Sequence, residues 1–537
     1  MLVLAVLGLL VVASIAILIN HAFKPSISRA WLIALVATTI AWLITLFLRL
    51  YLPTQVSLLD WTPAELFQGR LELVLDYQSW PYAVALITLC MATIFTDTTR
   101  ANLDKTPFSW AGSLVIALIN LFAVLAGNPL TIALAWALAD LVELSYLFSL
   151  RNSDSNNQDL VTGYTTRLLS ILALVVATAL GWRTQPNFDL HEMPANTTWV
   201  FLLAAALRLG IFRNRQSTTY VPEVHQGITV FLQLAPAASA LVLISHLNTL
   251  PEVLGDSWQG LVSGITSLFA LYSSLMFATR SNKIQSRPFW LVSLAAFGVL
   301  CALNGSALES RVWGLASLLS GAMLYLFEPA VRRIRFLPLL GLIGLVGLPF
   351  TLAASGWGGL IGASFRPSLV LVLISHALLV AGYVRFIFEA NTTITALEKQ
   401  ARITFPMGLV FILQTILVLG VVGWPGVFAL GQWWMPVISL GLVGLAIFGF
   451  IRLGLKLPFT NLEQRLPLYR ILQAALTWIE NFFSLDWMYS GIEILFHQIA
   501  KVTNAGTDLI EGEGGVLWSL IFLIALISIF VAGVQIP

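Results

Sequence analysis

The chain has 537 residues, of which 58% are hydrophobic and only 10% charged, whereas soluble domains carry about 25% charged residues. That leaves too little polar surface to solvate a globule of this length, and a formal net charge of +2 gives no electrostatic footprint for nucleic acid. The fold class expected is therefore an all-α polytopic membrane protein. A barrel would alternate over strands of about ten residues, whereas the apolar runs here are continuous and about twenty long, the length of a spanning helix.

In chain order the runs cover 1–20, 30–51, 81–97, 108–127, 129–149, 164–182, 197–212, 227–247, 257–279, 288–304, 308–328, 336–355, 367–389, 404–423, 430–452 and 515–534. About 14–16 transmembrane helices are expected, some of them broken or tilted. The first run, MLVLAVLGLLVVASIAILIN, has no basic stretch before it and no obvious A-x-A cleavage site, and reads as the first span. Residues 52–80 are too long for a tight turn and too polar to span. Past 453, LYRILQAALTWIENFF and WMYSGIEILFHQIAKV read as amphipathic segments lying on the membrane surface or against a partner, and EGEGG at 511–515 as a turn into a last helix. Arg332, Arg333 and Arg335, then Arg280, Lys283 and Arg287, then Arg213 and Arg215 mark loops that positive-inside counting places in the cytoplasm. Segments 213–226 and 280–287 also fit buried connections between half-helices, which leaves the orientation open.

Ionisable residues at membrane depth are the functional candidates, because a charge at the bilayer centre costs roughly 2.5–3.5 kcal/mol on insertion scales. Asp140 and Glu143 lie mid-run in PLTIALAWALADLVELSYLFS, and at i, i+3 they share one helical face. They read as a proton- or cation-binding pair or as a structural ion pair. Arg208, in FLLAAALRLGIFRNR, is deep enough to pair with either acid and hold it charged, though arginine cannot relay a proton. Its other reading is a side chain that snorkels to the interface. In RNRQSTTYVPEVHQGITVFLQLAP, Pro222, Gly227 and Pro236 interrupt helix; Glu223 and His225 line a polar passage if this backbone is buried, and are ordinary solvated residues if it is not. His376 is mid-span in LVLVLISHALLVAGYVRFIFE and reads as a proton shuttle or as a hydrogen-bonded core histidine. His246 lies nearer a helix end, Asp76 precedes a span, and Arg385 and Glu389 form an i, i+4 pair.

Cys90 and Cys301 fall in separate runs, and no Cys or His cluster has metal-ligand spacing. Neither a P-loop nor a dinucleotide fingerprint is present, so no cofactor, no metal and no catalytic residue is expected.

Taken together, several stretches resemble the large antiporter-like membrane subunits of respiratory complex I, the Mrp-type cation/proton antiporters and the related subunits of inorganic-carbon uptake complexes. VLDYQSW at 74–80 resembles an early Asp-Gly-Leu-Ser region, with Asp76 at its Asp. WALADLVELSYLF at 136–148 resembles the fifth helix, and GIFRNRQSTTYVPEVHQGITVFLQLAPAASALVLI at 210–244 resembles the broken seventh helix and the start of the eighth, with Tyr220-Val221-Pro222-Glu223 standing at Trp-Leu-Pro-Asp. SSLMFATRSNKIQSRPFWLVSLAAFG at 273–298 resembles the Asp-Ile-Lys-Arg segment, with Lys283 near its Lys. GLIGLVGLPFTLAASGWGGLIG at 341–362 resembles the twelfth helix. The resemblance covers roughly 60–400. It implies two inverted five-helix repeats with discontinuous helices, over 108–247 and 257–400, preceded by N-terminal helices and a long loop at 1–107. Residues 401–537 hold C-terminal helices, the amphipathic segment and a terminal span.

The departures bear on function. The fifth-helix Glu of the family falls on Ala139, one position from Asp140, which is about 100° around the helix. Ile211 stands at the seventh-helix Lys, with Arg208 or Arg213 the nearest cation, and Pro236 stands at the eighth-helix His. FTLAASGW holds no base where the twelfth-helix Lys belongs. The resemblance thus implies a proton or cation path over Asp140, Glu143, Arg208, Glu223, His225, Lys283 and His376, with one competent half-channel at most. It implies a multi-pass subunit of a cell's inner membrane, in a lipid bilayer with other membrane subunits of a hetero-oligomeric complex. Such a subunit is not catalytic alone, and a quinone-linked, ion-pumping oxidoreductase is among the complexes it could serve. A non-conducting scaffold and a subunit energising inorganic-carbon uptake are the alternatives.

Overall fold

A computed structural model describes residues 2–23, 26–59, 71–97, 106–150, 158–185, 188–209, 226–279, 283–327, 334–362, 367–388, 401–423 and 432–453, with isolated positions between 491 and 524. The chain divides into two compact units, Met1–Ile211 with Gln216–Asn461, and Phe212–Arg215 with Leu462–Pro537. All elements named below lie in the first.

That unit is a polytopic helical membrane protein. Nine described helices are long and apolar enough to cross a bilayer, and four shorter apolar helices accompany them. Lipid offers backbone groups no partner, so a spanning segment satisfies its N–H and C=O groups internally, as helix. The unit opens with α1 (Leu2–Phe23) and α2 (Ile27–Phe47). Two antiparallel strands, β1 (Thr54–Leu59) and β2 (Leu71–Leu75), then precede α3 (Ser79–Thr96). Next come α4 (Thr106–Val124), α5 (Pro129–Leu150), α6 (Gln158–Trp182), α7 (Thr198–Arg208) and α8 (Gln226–Ser245). The succession continues with α9 (Leu250–Thr279), α10 (Lys283–Leu303), α11 (Ala307–Leu326), the short α12 (Phe336–Leu340), α13 (Ile343–Val346) and α14 (Gly356–Ile361), and then α15 (Ser368–Phe388). The final pair is α16 (Ala401–Val422) and α17 (Trp434–Leu453).

The contacts close into two rings of like order. In the first, α4 packs on α5, α5 on α6, α6 on α7, α7 on α8, and α8 returns to α4. In the second, α9 packs on α10, α10 on α11, α11 on α12–α14, α12 on α15, and α15 returns to α9. The fourth place is interrupted in both. α7 has only 11 residues. Between α12 and α14 the chain turns at Gly347 (φ +77) and Phe350 (φ +64). A Cβ at Gly347 would lie 2.3 Å from Trp357 Nε1, so glycine is required by both backbone and space.

Helix α3 is buried along its whole length, between α2, α4, α8, α11 and α16. With lipid as the outer solvent, such a core is held by close packing and interhelical hydrogen bonds rather than by apolar transfer. One example ties three helices together: Trp42 donates its indole N–H to Thr88 Oγ1 at 2.9 Å, which lies 3.0 Å from Thr415 Oγ1.

The polar connection 52–80 had no strand expectation, yet it supplies the sheet. Strand β2 continues pairing beyond β1. Val74 donates to the Leu125 carbonyl (2.7 Å), Gly127 to that of Glu72 (3.0 Å), and Leu190 to that of Gly127 (2.9 Å). This backbone ladder fixes residues 71–76, 125–127 and 190 at one edge of the unit.

Candidate functional site

Helix α5 carries Asp140 eleven residues beyond Pro129, about 16 Å along the axis at 1.5 Å per residue. That is close to half the ~30 Å hydrocarbon thickness. Asp140 and Glu143 share a face as their spacing requires, and both are buried. Arg208, the last residue of α7, turns Nη1 to both Asp140 oxygens, at 2.7 Å to Oδ1 and 2.6 Å to Oδ2. Its side chain is 0% exposed, so it pairs rather than snorkels.

A second cation completes the group. Arg167 of α6 donates through Nη1 to Glu143 Oε2 and lies 3.4 Å from Asp140 Oδ1. Tyr164, one turn earlier, donates to Glu143 Oε2 at 3.4 Å and lays its ring under the Arg167 guanidinium, 4.9 Å away. Trp136, one turn before Asp140, does the same for Arg208 at 5.1 Å and anchors its own N–H on Ser239 of α8 at 2.8 Å. Two carboxylates and two guanidiniums thus form a charge-balanced quartet across α5, α6 and α7, with an aromatic face beneath each cation. Glu143 Oε1 and Arg208 Nε and Nη2 are buried without a hydrogen-bond partner among the described residues.

His376 belongs to the second ring, on α15. It is fully buried, with Nδ1 2.7 Å from Ser439 Oγ and Nε2 3.0 Å from the Leu345 carbonyl. The Trp357 and Trp313 rings stand edge-on at 5.0 and 6.0 Å. The carbonyl can only accept, so Nε2 carries a proton, and a neutral ring is fully satisfied. This is the geometry of a core histidine.

Solved structures similar to this chain in fold include two membrane complexes. A chain of the Mrp complex from Dietzia sp. DQ12-45-1b superposes with a TM-score of 0.67 at 16% identity, over 100% of this chain and 63% of that one. A chain of the membrane-bound sulfane sulfur reductase, an archaeal respiratory membrane complex, gives 0.62 at 14% identity over 97% and 99%. The fold is the one these two membrane-complex chains share. At these identities the likeness is one of fold, and the chain spans less than two thirds of the Mrp-complex chain. No protein-family model and no curated protein sequence matches the chain.

Within this fold, the residues expected from the sequence are distributed unevenly. Asp140, Glu143 and Arg208 come together, and His376 sits apart from them in the other ring. Glu223 and His225 lie outside the described residues, as does Glu389, and Lys283 opens α10 with its side chain outside them. Arg385 donates to the Ala278 carbonyl. Arg167 was not among the expected residues.

A separate cluster forms at the polar edge, where no local spacing announced one. Asp76, His191 and His246 bring their ligand atoms within 4.8 Å of one another. The Asp76 side chain is 13% exposed rather than open to solvent. Burial raises the affinity of its carboxyl for a proton, but the neighbouring His246 imidazole and the hydrogen bonds of Ser79 outweigh this and hold it well below the usual carboxylate range. Burial and the neighbouring His246 push the His191 imidazole down, against the pull of Asp76.

Proposed function

We propose that the chain is an antiporter-like subunit of a hetero-oligomeric complex in a cell's inner (cytoplasmic) membrane. On this reading it carries protons, or exchanges a cation for protons, through the quartet of Asp140, Glu143, Arg167 and Arg208, and the complex supplies the redox or transport energy. The observation that carries the reading is Arg167, one cation within reach of both acids. A proton arriving on Glu143 weakens its hold on Arg167 and lets Asp140 take up the guanidinium, so the two sites sense each other's occupancy. Buried ion pairs are often no more stable than well-packed apolar residues of the same volume. Four charges at membrane depth are therefore better accounted for by ion passage than by stability. Glu223, His225 and Lys283 would extend the path, and His376 would hold the second ring together. The rings over 108–247 and 257–400 would act as paired repeats.

One observation favours a non-conducting scaffold instead: each acid already has its own arginine, and arginine does not give up its proton. Proton flux in vesicles reconstituted with the complex separates the two readings. Asp140→Asn and Glu143→Gln should each lower flux about tenfold or more, equivalent to at least ~1.4 kcal/mol on the barrier. Unchanged flux in both variants would refute conduction and leave the scaffold.

A further inference from the structure

At the polar edge of the first ring, three segments far apart in sequence converge. Asp76 ends the β2 connection into α3. Its Oδ1 accepts the backbone N–H groups of Gln78 (3.1 Å) and Ser79 (2.7 Å) and lies 2.6 Å from Ser79 Oγ, so this oxygen is engaged by the start of α3. The other oxygen, Oδ2, faces two imidazoles: His191 Nε2 at 3.4 Å and His246 Nε2 at 3.8 Å. The two rings lie 4.6 Å apart at 70°. The backbone ladder through Glu72, Gly127 and Leu190 holds the Asp76 and His191 segments in register.

The tautomer of His246 is set by its helix. Its Nδ1 lies 2.9 Å from the Val242 carbonyl one turn back. A carbonyl only accepts, so Nδ1 carries the hydrogen. In the neutral ring, Nε2 then presents a lone pair to Asp76 Oδ2, itself anionic. Two lone pairs facing each other repel, and the arrangement is stable only with a positive species between them. A metal-binding histidine shows this same pattern, one nitrogen on the metal and the other N–H on a backbone carbonyl.

We infer that Asp76 Oδ2, His191 Nε2 and His246 Nε2 bind one divalent transition-metal ion of the Zn²⁺ type. Zinc bonds of about 2.0–2.1 Å to N and O place tetrahedral ligand atoms about 3.3 Å apart, close to the 3.4 and 3.8 Å separations here. Two imidazoles and one carboxylate suit zinc and its neighbours, whereas Ca²⁺ and Mg²⁺ favour all-oxygen sites. Arg311, whose charge reaches Asp76, turns Nη1 to the Tyr77 carbonyl at 3.3 Å. The His191 side chain is 39% exposed, so the site opens to water, which can fill the fourth position. The ion would tie the start of α3, the 188–193 segment and the end of α8 to one another at the mouth of the first ring.

The test uses the full chain purified in detergent, stripped with chelator and titrated with Zn²⁺ alone. Bound metal is read by elemental analysis after dialysis, and stability by the thermal midpoint. About one ion per chain is expected, with a rise in midpoint because the ion binds the folded form. His191→Ala and His246→Ala should each weaken binding at least about tenfold, while His21→Ala, outside the cluster, should not. Asp76 also caps α3, so Asp76→Asn could fail to fold; the half-exposed His191 variant keeps the test decisive. Co²⁺ substituted for Zn²⁺ should show the intense visible bands of tetrahedral coordination. A wild-type chain that binds no Zn²⁺, binds it only at many weak sites, or binds it equally well in the His191→Ala/His246→Ala double variant would overturn the assignment. In that event the cation between the lone pairs is a proton.

Discussion

Replacing Asp140 by Leu should be among the most damaging single changes in the quartet, and the reason lies in what each partner keeps. Arg208 donates two hydrogen bonds to Asp140, at 2.6 and 2.7 Å, and its side chain is 0% exposed. Without Asp140 it retains, among the described residues, the face of Trp136, and the group is left with two guanidiniums against Glu143. Removing one partner of a buried ion pair costs about 3–5 kcal/mol, mostly the penalty of the stranded charge. Glu143→Met strands Arg167 less. That side chain is 16% exposed and still has Asp140 Oδ1 at 3.4 Å, so the loss should be about 1–3 kcal/mol, that of a hydrogen bond to a charged group. Adding Arg208→Met to Asp140→Leu removes the stranded charge at nearly constant volume and should recover most of the loss. Thermal unfolding in detergent ranks the variants. The expected order of midpoints is Asp140→Leu lowest, Glu143→Met above it, and the double variant above Asp140→Leu. If Glu143→Met proves the more damaging, or the double variant falls below Asp140→Leu, the assignment of Arg208 to Asp140 is wrong.

Other outcomes follow from local geometry. His376→Leu leaves Ser439 Oγ and the Leu345 carbonyl without their buried partner; it should lower the unfolding midpoint, at about 1–3 kcal/mol per orphaned group, and leave proton flux per folded molecule unchanged. Gly347→Ala must hold φ +77 and place a Cβ 2.3 Å from Trp357 Nε1, so it should cost about 1–3 kcal/mol and quench or shift tryptophan fluorescence. Gly127→Ala would put a Cβ 2.6 Å from Val74 Cγ2; by spreading the ladder that registers Asp76 with His191, it should weaken Zn²⁺ binding as measured by dialysis.

The membrane class and most helices were legible because twenty-residue apolar runs admit one backbone solution in lipid. Asp140, Glu143 and Arg208 were legible because charge at that depth is rare. Arg167 was missed through a helix start read too late. An α6 beginning at 164 puts Arg167 in its first turn, where charge is routine, but the helix begins at Gln158. The signal was available in the hairpin. Asp140 lies ten residues before the end of α5 at Leu150, and Arg167 nine after the start of α6, so in antiparallel neighbours the two are level, each about 14–15 Å from the connection. The Asp76 cluster had no such signal, because its three residues sit on separate segments and only the β2 ladder, itself unread, brings two of them into register.

If the quartet carries ions as proposed, its two arginines define what kind of path it can be. In the family the sequence resembles, a lysine whose proton affinity is switched by a nearby glutamate carries the proton. A guanidinium keeps its proton at any working pH, so in this chain a mobile proton can only ride on Asp140, Glu143 or the groups beyond them. The arginines can respond only by moving. Arg208 is fixed by two bonds to one acid and by the ring of Trp136, whereas Arg167 already touches both acids through one nitrogen. On the proposed reading the switching element is Arg167, and its switch is a displacement between two carboxylates less than one helical turn apart rather than a deprotonation. On that reading Glu143 Oε1, without a hydrogen-bond partner among the described residues, is the place for the arriving proton, because a proton there leaves Oε2 neutral and loosens Arg167 without disturbing the Arg208–Asp140 pair that links α7 to α5.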